Sequence, residues 1–109
     1  MVEYPSGSGC RLTLDAVAHA LEDRLISIFL TDRNHRRPCF GGAERLQTDP
    51  EWRDNIIFSE YFHGDDGTGM GASHQTGWTG IVGDLIRRRY SNVLGIGERL
   101  AANQQGALP

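Results

Sequence analysis

The residue whose surroundings point most directly to chemistry is Glu60. It lies in the segment Ile56-Ile57-Phe58-Ser59-Glu60-Tyr61-Phe62. If that segment is extended, Ile56, Phe58, Glu60 and Phe62 share one face, because side chains alternate along a strand. If it is helical, Trp52, Ile56 and Glu60 share one face. Either way a carboxylate is set on an apolar, aromatic surface. Burying such a charge is costly unless it is paired or has a task, and perturbed carboxylates of this kind are what active sites employ. The competing reading is a glutamate salt-bridged to an arginine or exposed at a loop edge, which is the commoner use of the residue.

Other polar groups follow closely. His63, Asp65, Asp66 and His74 raise the question of a metal. Glu60 and His63 have the Glu-x-x-His spacing of di-iron bundles, but a second such motif is absent. Asp65-Asp66-Gly67-Thr68 does not match the calcium loop of an EF-hand. Ligand count and spacing specify no metal, so none is assigned. Gly67-Thr68-Gly69-Met70-Gly71 suggests phosphate cradling, yet it lacks the known spacings, and the two aspartates before it repel a phosphate. Trp78 stands in His74-Gln75-Thr76-Gly77-Trp78-Thr79-Gly80. It reads either as core or as a ring that stacks on a flat sugar face. Gly77, Gly80 and Gly83 recur every third residue, each costing about 1 kcal/mol against alanine inside a helix. A smooth face that admits another helix or a ligand would offset that cost.

These residues must be positioned by a small scaffold. The chain has 109 residues, 39% of them apolar, with 14 glycines. That predicts a thin core. Thr13 reads as the N-cap of an amphipathic helix of about 18 residues that stops near Thr31-Asp32, with Leu14, Val17, Ala18, Leu21, Leu25, Ile28 and Phe29 at three- and four-residue spacing. Residues 1–12 read as loop and 36–50 as polar and irregular, with a helical turn opening at Asp49-Pro50-Glu51. Residues 63–71 read as a glycine-rich loop. A second helix is expected from Ala72 or Ser73, carried by Trp78, Ile81, Val82, Leu85 and Ile86 and closed by Arg87-Arg88-Arg89, where cations suit a helix C-terminus. A further short helix is expected over 91–102, and 103–109 reads as a disordered tail. Helices joined by long glycine-rich loops suggest one part of a larger helical architecture.

Charge and cysteine usage narrow the partners. Eleven arginines against 14 acidic residues give a net charge of −3. The pI near 5.7 disfavours nucleic acid and anionic membranes as partners. No apolar run reaches a membrane span, and Met1-Val2-Glu3-Tyr4-Pro5 has no secretory pattern. Cys10 and Cys39 make no disulfide framework, which fits a reducing cytoplasm.

Several stretches, in order, resemble a known family. They are Tyr4-Pro5-Ser6-Gly7-Ser8-Gly9, residues 24–30, Arg36-Arg37-Pro38 with Phe40-Gly41-Gly42, residues 47–54, Glu60-Tyr61-Phe62-His63-Gly64-Asp65, and residues 71–80. Together they resemble the C-terminal end of bacterial glucosidases of glycoside hydrolase family 63, which are similar to processing α-glucosidase I and mannosylglycerate hydrolases. The resemblance covers about residues 3–90. It implies a mainly α fold, the C-terminal portion of an (α/α)6 barrel spanning 1–109, with two or three helices and long glycine-rich loops. It implies inverting hydrolysis of α-glucosidic bonds, with Glu60 at the position of the general base. Trp78, His74 and Tyr61 would face the carbohydrate substrate. No cofactor and no metal are implied. The family's general acid lies upstream of the stretch matched here, so the resemblance implies that the chain alone is inactive. Its partners would then be the upstream portion or a further copy. The alternative is a non-catalytic carbohydrate-binding or interaction module derived from such an enzyme.

Overall fold

Thr13 starts the longest helix, α1, Leu14–Ser27. Its backbone is extended, and its side-chain oxygen accepts the Ala16 N–H at 3.1 Å. Asp15 in the first turn and Arg24 in the last match the helix dipole. Ile26 is the buried residue of α1, while Leu14, Leu21 and Leu25 stay exposed. The amphipathic stripe therefore forms but is only partly covered. In this computed structural model of the chain, residues 1–74 and 77–91 are described.

The core gathers just after α1. Phe29, 3% exposed, sits with Ile26, Cys39, Phe40 and Val82. Its ring lies 5.9 Å from that of Phe58 and 5.3 Å from that of Phe62, the latter edge-on. Phe29 thus joins the end of α1 to the segment that carries Glu60.

Residues 36–50 are more regular than their composition suggests. Pro38–Phe40 forms a 3-10 turn and Glu44–Thr48 a short helix, α2. Gln47 of α2 is buried. Its Oε1 accepts the Arg37 N–H at 2.8 Å, and its Nε2 donates to the carbonyls of Arg37 at 2.9 Å and Gly41 at 3.0 Å. One side chain thereby satisfies backbone groups that no strand reaches. The Arg37 guanidinium in turn donates to the carbonyls of Phe29 at 2.7 Å and Arg53 at 3.1 Å.

Two small antiparallel sheets complete the fold. In the first, β1 (Val2–Glu3) pairs with β2 (Arg11–Leu12). In the second, β3 (Ser59–Phe62) pairs with β4 (Gly69–Ser73). A helix over residues 81–91, α3, follows. It is tied to α1 by Arg89–Asp23 at 2.7 Å and Arg88–Glu22 at 3.7 Å.

This architecture corrects the expected fold class. The described residues form a mixed α/β arrangement of helices and two antiparallel sheets, not the mainly α portion of an (α/α)6 barrel. The physical reason lies in residues 63–73. Gly67 at φ +78° and Gly71 at φ +76° let the chain reverse and then bulge. Residues 69–73 consequently pair with 59–62 instead of opening a helix at Ala72 or Ser73. That helix begins only at residue 81, after Gly77 and Gly80. Residues 1–12, expected as loop, contain the β1–β2 pair. The helix expected over 91–102 and the tail 103–109 lie outside the described residues.

Candidate functional site

The β3–β4 hairpin closes through its loop. Asp66 Oδ1 accepts the Thr68 N–H at 2.9 Å, a local turn of the kind aspartate favours. His63 N donates to the Thr68 carbonyl at 2.8 Å, and Gly67 N to the His63 carbonyl at 2.9 Å. Beyond the loop, Phe62 pairs with Gly69 and Tyr61 with Met70, but Ser59 pairs with Ser73. One extra residue on β4 is thus accommodated opposite Glu60, which makes a β-bulge.

The bulge is built around Gly71. A Cβ on Gly71 would lie 2.7 Å from Glu60 Oε2 and 2.6 Å from Tyr61 Cε1, so any other residue would displace these side chains, and its φ of +76° favours glycine as well. Glu60 Oε2 accepts the Ala72 N–H at 3.2 Å. The Trp78 indole Nε1 donates to the Glu60 carbonyl at 2.9 Å. Glu60 is therefore held at its backbone and at its carboxylate by two different segments. It is exposed, not buried on the aromatic face as strand alternation suggested. Phe58 and Phe62 turn to Phe29, while the Glu60 carboxylate turns to the bulge.

The other expected site residues fall around it. Tyr61 is 50% exposed, and Trp78 is 48% exposed with its ring edge-on to Phe62 at 6.2 Å. His74 lies one backbone pair further along. It adopts φ +59°, its N–H donates to the Phe58 carbonyl at 2.8 Å, and its ring meets the Phe58 ring edge-on at 6.1 Å. The structure thus brings Glu60, Tyr61 and Trp78 together and sets His74 beside the strand position two residues before Glu60. Chemically this is one exposed carboxylate with an oxygen engaged and two exposed aromatic rings. A carboxylate supplies a proton acceptor, and flat rings supply a stacking surface.

The remaining candidates separate from this group. His63 Nδ1 lies 3.6 Å from Asp66 Oδ1 in the loop, at the far end of the hairpin. The Thr68 amide holds the Asp66 carboxyl below its ordinary value. Among the described residues, no group of three or more His, Cys, Asp or Glu side chains is placed to hold a metal. Cys10 is exposed, and Cys39 is buried, with burial pushing its thiol up to about 11. Among the described residues, a Cβ on Gly77 or Gly83 would meet nothing within 4 Å. Trp78 borders an apolar cavity of about 200 Å³ that Leu25, Phe62 and Ile81 also line. Sequence reasoning missed Gly71 and the Ala72 amide. Gly71 sat in a run read as a flexible glycine-rich loop or a place of close backbone approach, not as a strand, and a backbone donor carries no sequence signal. No helix among the described residues is long and apolar enough to cross a membrane.

The chain is similar to a long yeast protein. An uncharacterized protein of Saccharomyces cerevisiae is 47% identical over 87 residues, covering 78% of this chain and 8% of the relative. The chain spans less than a tenth of that relative's length. No family model matches the chain, and no solved structure matches it.

Proposed function

We propose that this chain is a segment of an inverting glycoside hydrolase acting on α-glucosidic bonds of oligosaccharides or small glycosides, with Glu60 as the general base that activates water. The observation that carries the reading is the setting of Glu60. It is an exposed carboxylate on the β3–β4 hairpin, with one oxygen on the Ala72 amide, the exposed Tyr61 next to it in the strand and the exposed Trp78 on its backbone carbonyl. Inversion needs a second carboxyl about 6.5–9.5 Å away to protonate the leaving oxygen. Asp65 and Asp66 lie in the loop at the far end of the hairpin, beyond roughly 10 Å of strand. Following the resemblance, the acid is supplied by polypeptide upstream of the matched stretch, and the chain alone is expected not to hydrolyse. Its partners are a carbohydrate and that further polypeptide or a second copy. Its two free cysteines fit the reducing cytoplasm.

Two half-exposed aromatic rings beside a single carboxylate also favour a second reading, a carbohydrate-binding module without catalysis. One experiment separates the two. The chain is joined, in cis or in trans, to the part of the long yeast relative outside the matched stretch. Release of glucose from α-glucosides is then measured. Turnover that falls about 10²–10⁴-fold in Glu60→Gln supports the base assignment. Unchanged turnover in Glu60→Gln contradicts it. Sugar binding without turnover selects the binding module.

A further inference from the structure

The bulge opposite Glu60 is more than a turn in the chain. The extra residue of β4 falls where the Glu60 side chain needs space, and Gly71 at φ +76° provides it. The same bulge aims the Ala72 N–H at Glu60 Oε2, at 3.2 Å. From the other side, the Trp78 indole N–H reaches the Glu60 carbonyl at 2.9 Å. Bulges commonly re-aim side chains next to functional sites. A group that works by proton transfer must be held in a narrow geometry.

We infer that Gly71 and Trp78 are positioning residues for Glu60. Gly71 admits the carboxylate to the bulge, the Ala72 amide engages Oε2, and Trp78 fixes the backbone from which the side chain springs. Among the described residues, Oε1 is thereby the oxygen left to meet a water or a sugar hydroxyl. Trp78 then acts through its N–H as well as its ring face. The assignment of a role to this clamp rests on the reading of Glu60 as the working carboxylate, but the clamp itself is measured independently of turnover.

The test uses the 109-residue chain and nuclear magnetic resonance. The Ala72 amide proton is followed against pH together with the Glu60 carboxyl carbon. A bonded pair moves together, with one shared midpoint. In Glu60→Gln the Ala72 titration disappears. In Gly71→Ala it falls at least several-fold, because the added Cβ displaces the carboxylate. If Gly71→Ala does not fold, Glu60→Asp serves instead. Its side chain is one methylene shorter, so the Ala72 titration is again lost. In Trp78→Phe the ring packing on Phe62 is kept but the N–H is gone, and the shared response weakens. An Ala72 amide that ignores Glu60 in the unaltered chain overturns the clamp. So does a full response in both Gly71→Ala and Glu60→Asp, or an unchanged response in Trp78→Phe for the part assigned to Trp78. A clamp found intact while Glu60→Gln leaves turnover of the joined protein unchanged would overturn the positioning role and the catalytic reading together. A missing clamp with turnover lost in Glu60→Gln would overturn the clamp alone.

Discussion

Two regions of this molecule use polar side chains in opposite ways. In the stretch from Arg37 to Arg53, Gln47 is buried and both ends of its amide are engaged, while Arg37 reaches two backbone carbonyls. Its polar groups are spent on holding the backbone. In the β3–β4 hairpin the relation is reversed. The Ala72 backbone N–H is spent on one carboxylate oxygen of Glu60 and the Trp78 indole N–H on the Glu60 backbone carbonyl, and that carboxylate stays exposed. The first arrangement stabilises the fold. The second holds an exposed carboxylate in place at its backbone and at one oxygen. Phe29 connects them, since it belongs to the core and touches both Phe58 and Phe62.

The contrast breaks first at that connection. Phe29→Ala removes the ring shared by both regions and is expected to cost about 3–5 kcal/mol in denaturant unfolding. The hairpin amides should lose hydrogen-exchange protection along with those of α1. Gln47→Ala comes next. It removes the side-chain partner of the Arg37 N–H and carbonyl and leaves the Gly41 carbonyl only its longer bond from Arg36, at an expected cost of about 2–4 kcal/mol. A cost below about 0.5 kcal/mol would mean that water replaces the glutamine easily. Glu60→Gln is expected to change stability by less than about 0.5 kcal/mol, as an exposed side chain should. Losses of similar size in Gln47→Ala and Glu60→Gln would erase the distinction between the regions.

The smallest expected effect is electrostatic. Asp32 is held below its ordinary 3.8 by the amides of Arg36 and Asn34, and Asp66 by the amide of Thr68. Glu44 is held below its ordinary 4.5 by hydrogen bonds from Arg36. Their folded-state values lie under the unfolded ones. Their stabilisation is therefore fully present above those ordinary values and is lost as pH falls through the lower folded ones. All three are at the surface, so the loss should be shallow. Thermal unfolding between pH 6 and pH 2 should show a modest fall beginning near pH 4.5. Asp66→Asn keeps a turn acceptor but cannot titrate, so it should flatten its share of that fall.

These regions were also unequally legible in the sequence. The start of α1 was written in Thr13 and in the spacing from Leu14 to Leu25, because local capping and periodicity suffice there. Glu60 stood out because a carboxylate among aromatic residues is unusual. The hairpin was hidden. Gly67, Gly69 and Gly71 spell flexibility in sequence, whereas two of them supply positive φ for a turn and a bulge. The pairing of 59–62 with 69–73 is a tertiary choice that displaced the helix expected from Ala72. Strand alternation placed Glu60 beside Phe58 and Phe62, but the bulge redirected its carboxylate. Gln47 and Arg37 gave no signal, since their partners are backbone atoms.

The claim that Glu60 activates water for inversion is tested most directly by the first product formed. The joined polypeptide is given an α-glucoside, and proton magnetic resonance follows the anomeric signals before mutarotation. β-Glucose should appear first, and Glu60→Gln should slow its appearance about 10²–10⁴-fold. Release of α-glucose first, or β-glucose at an unchanged rate from Glu60→Gln, would contradict it.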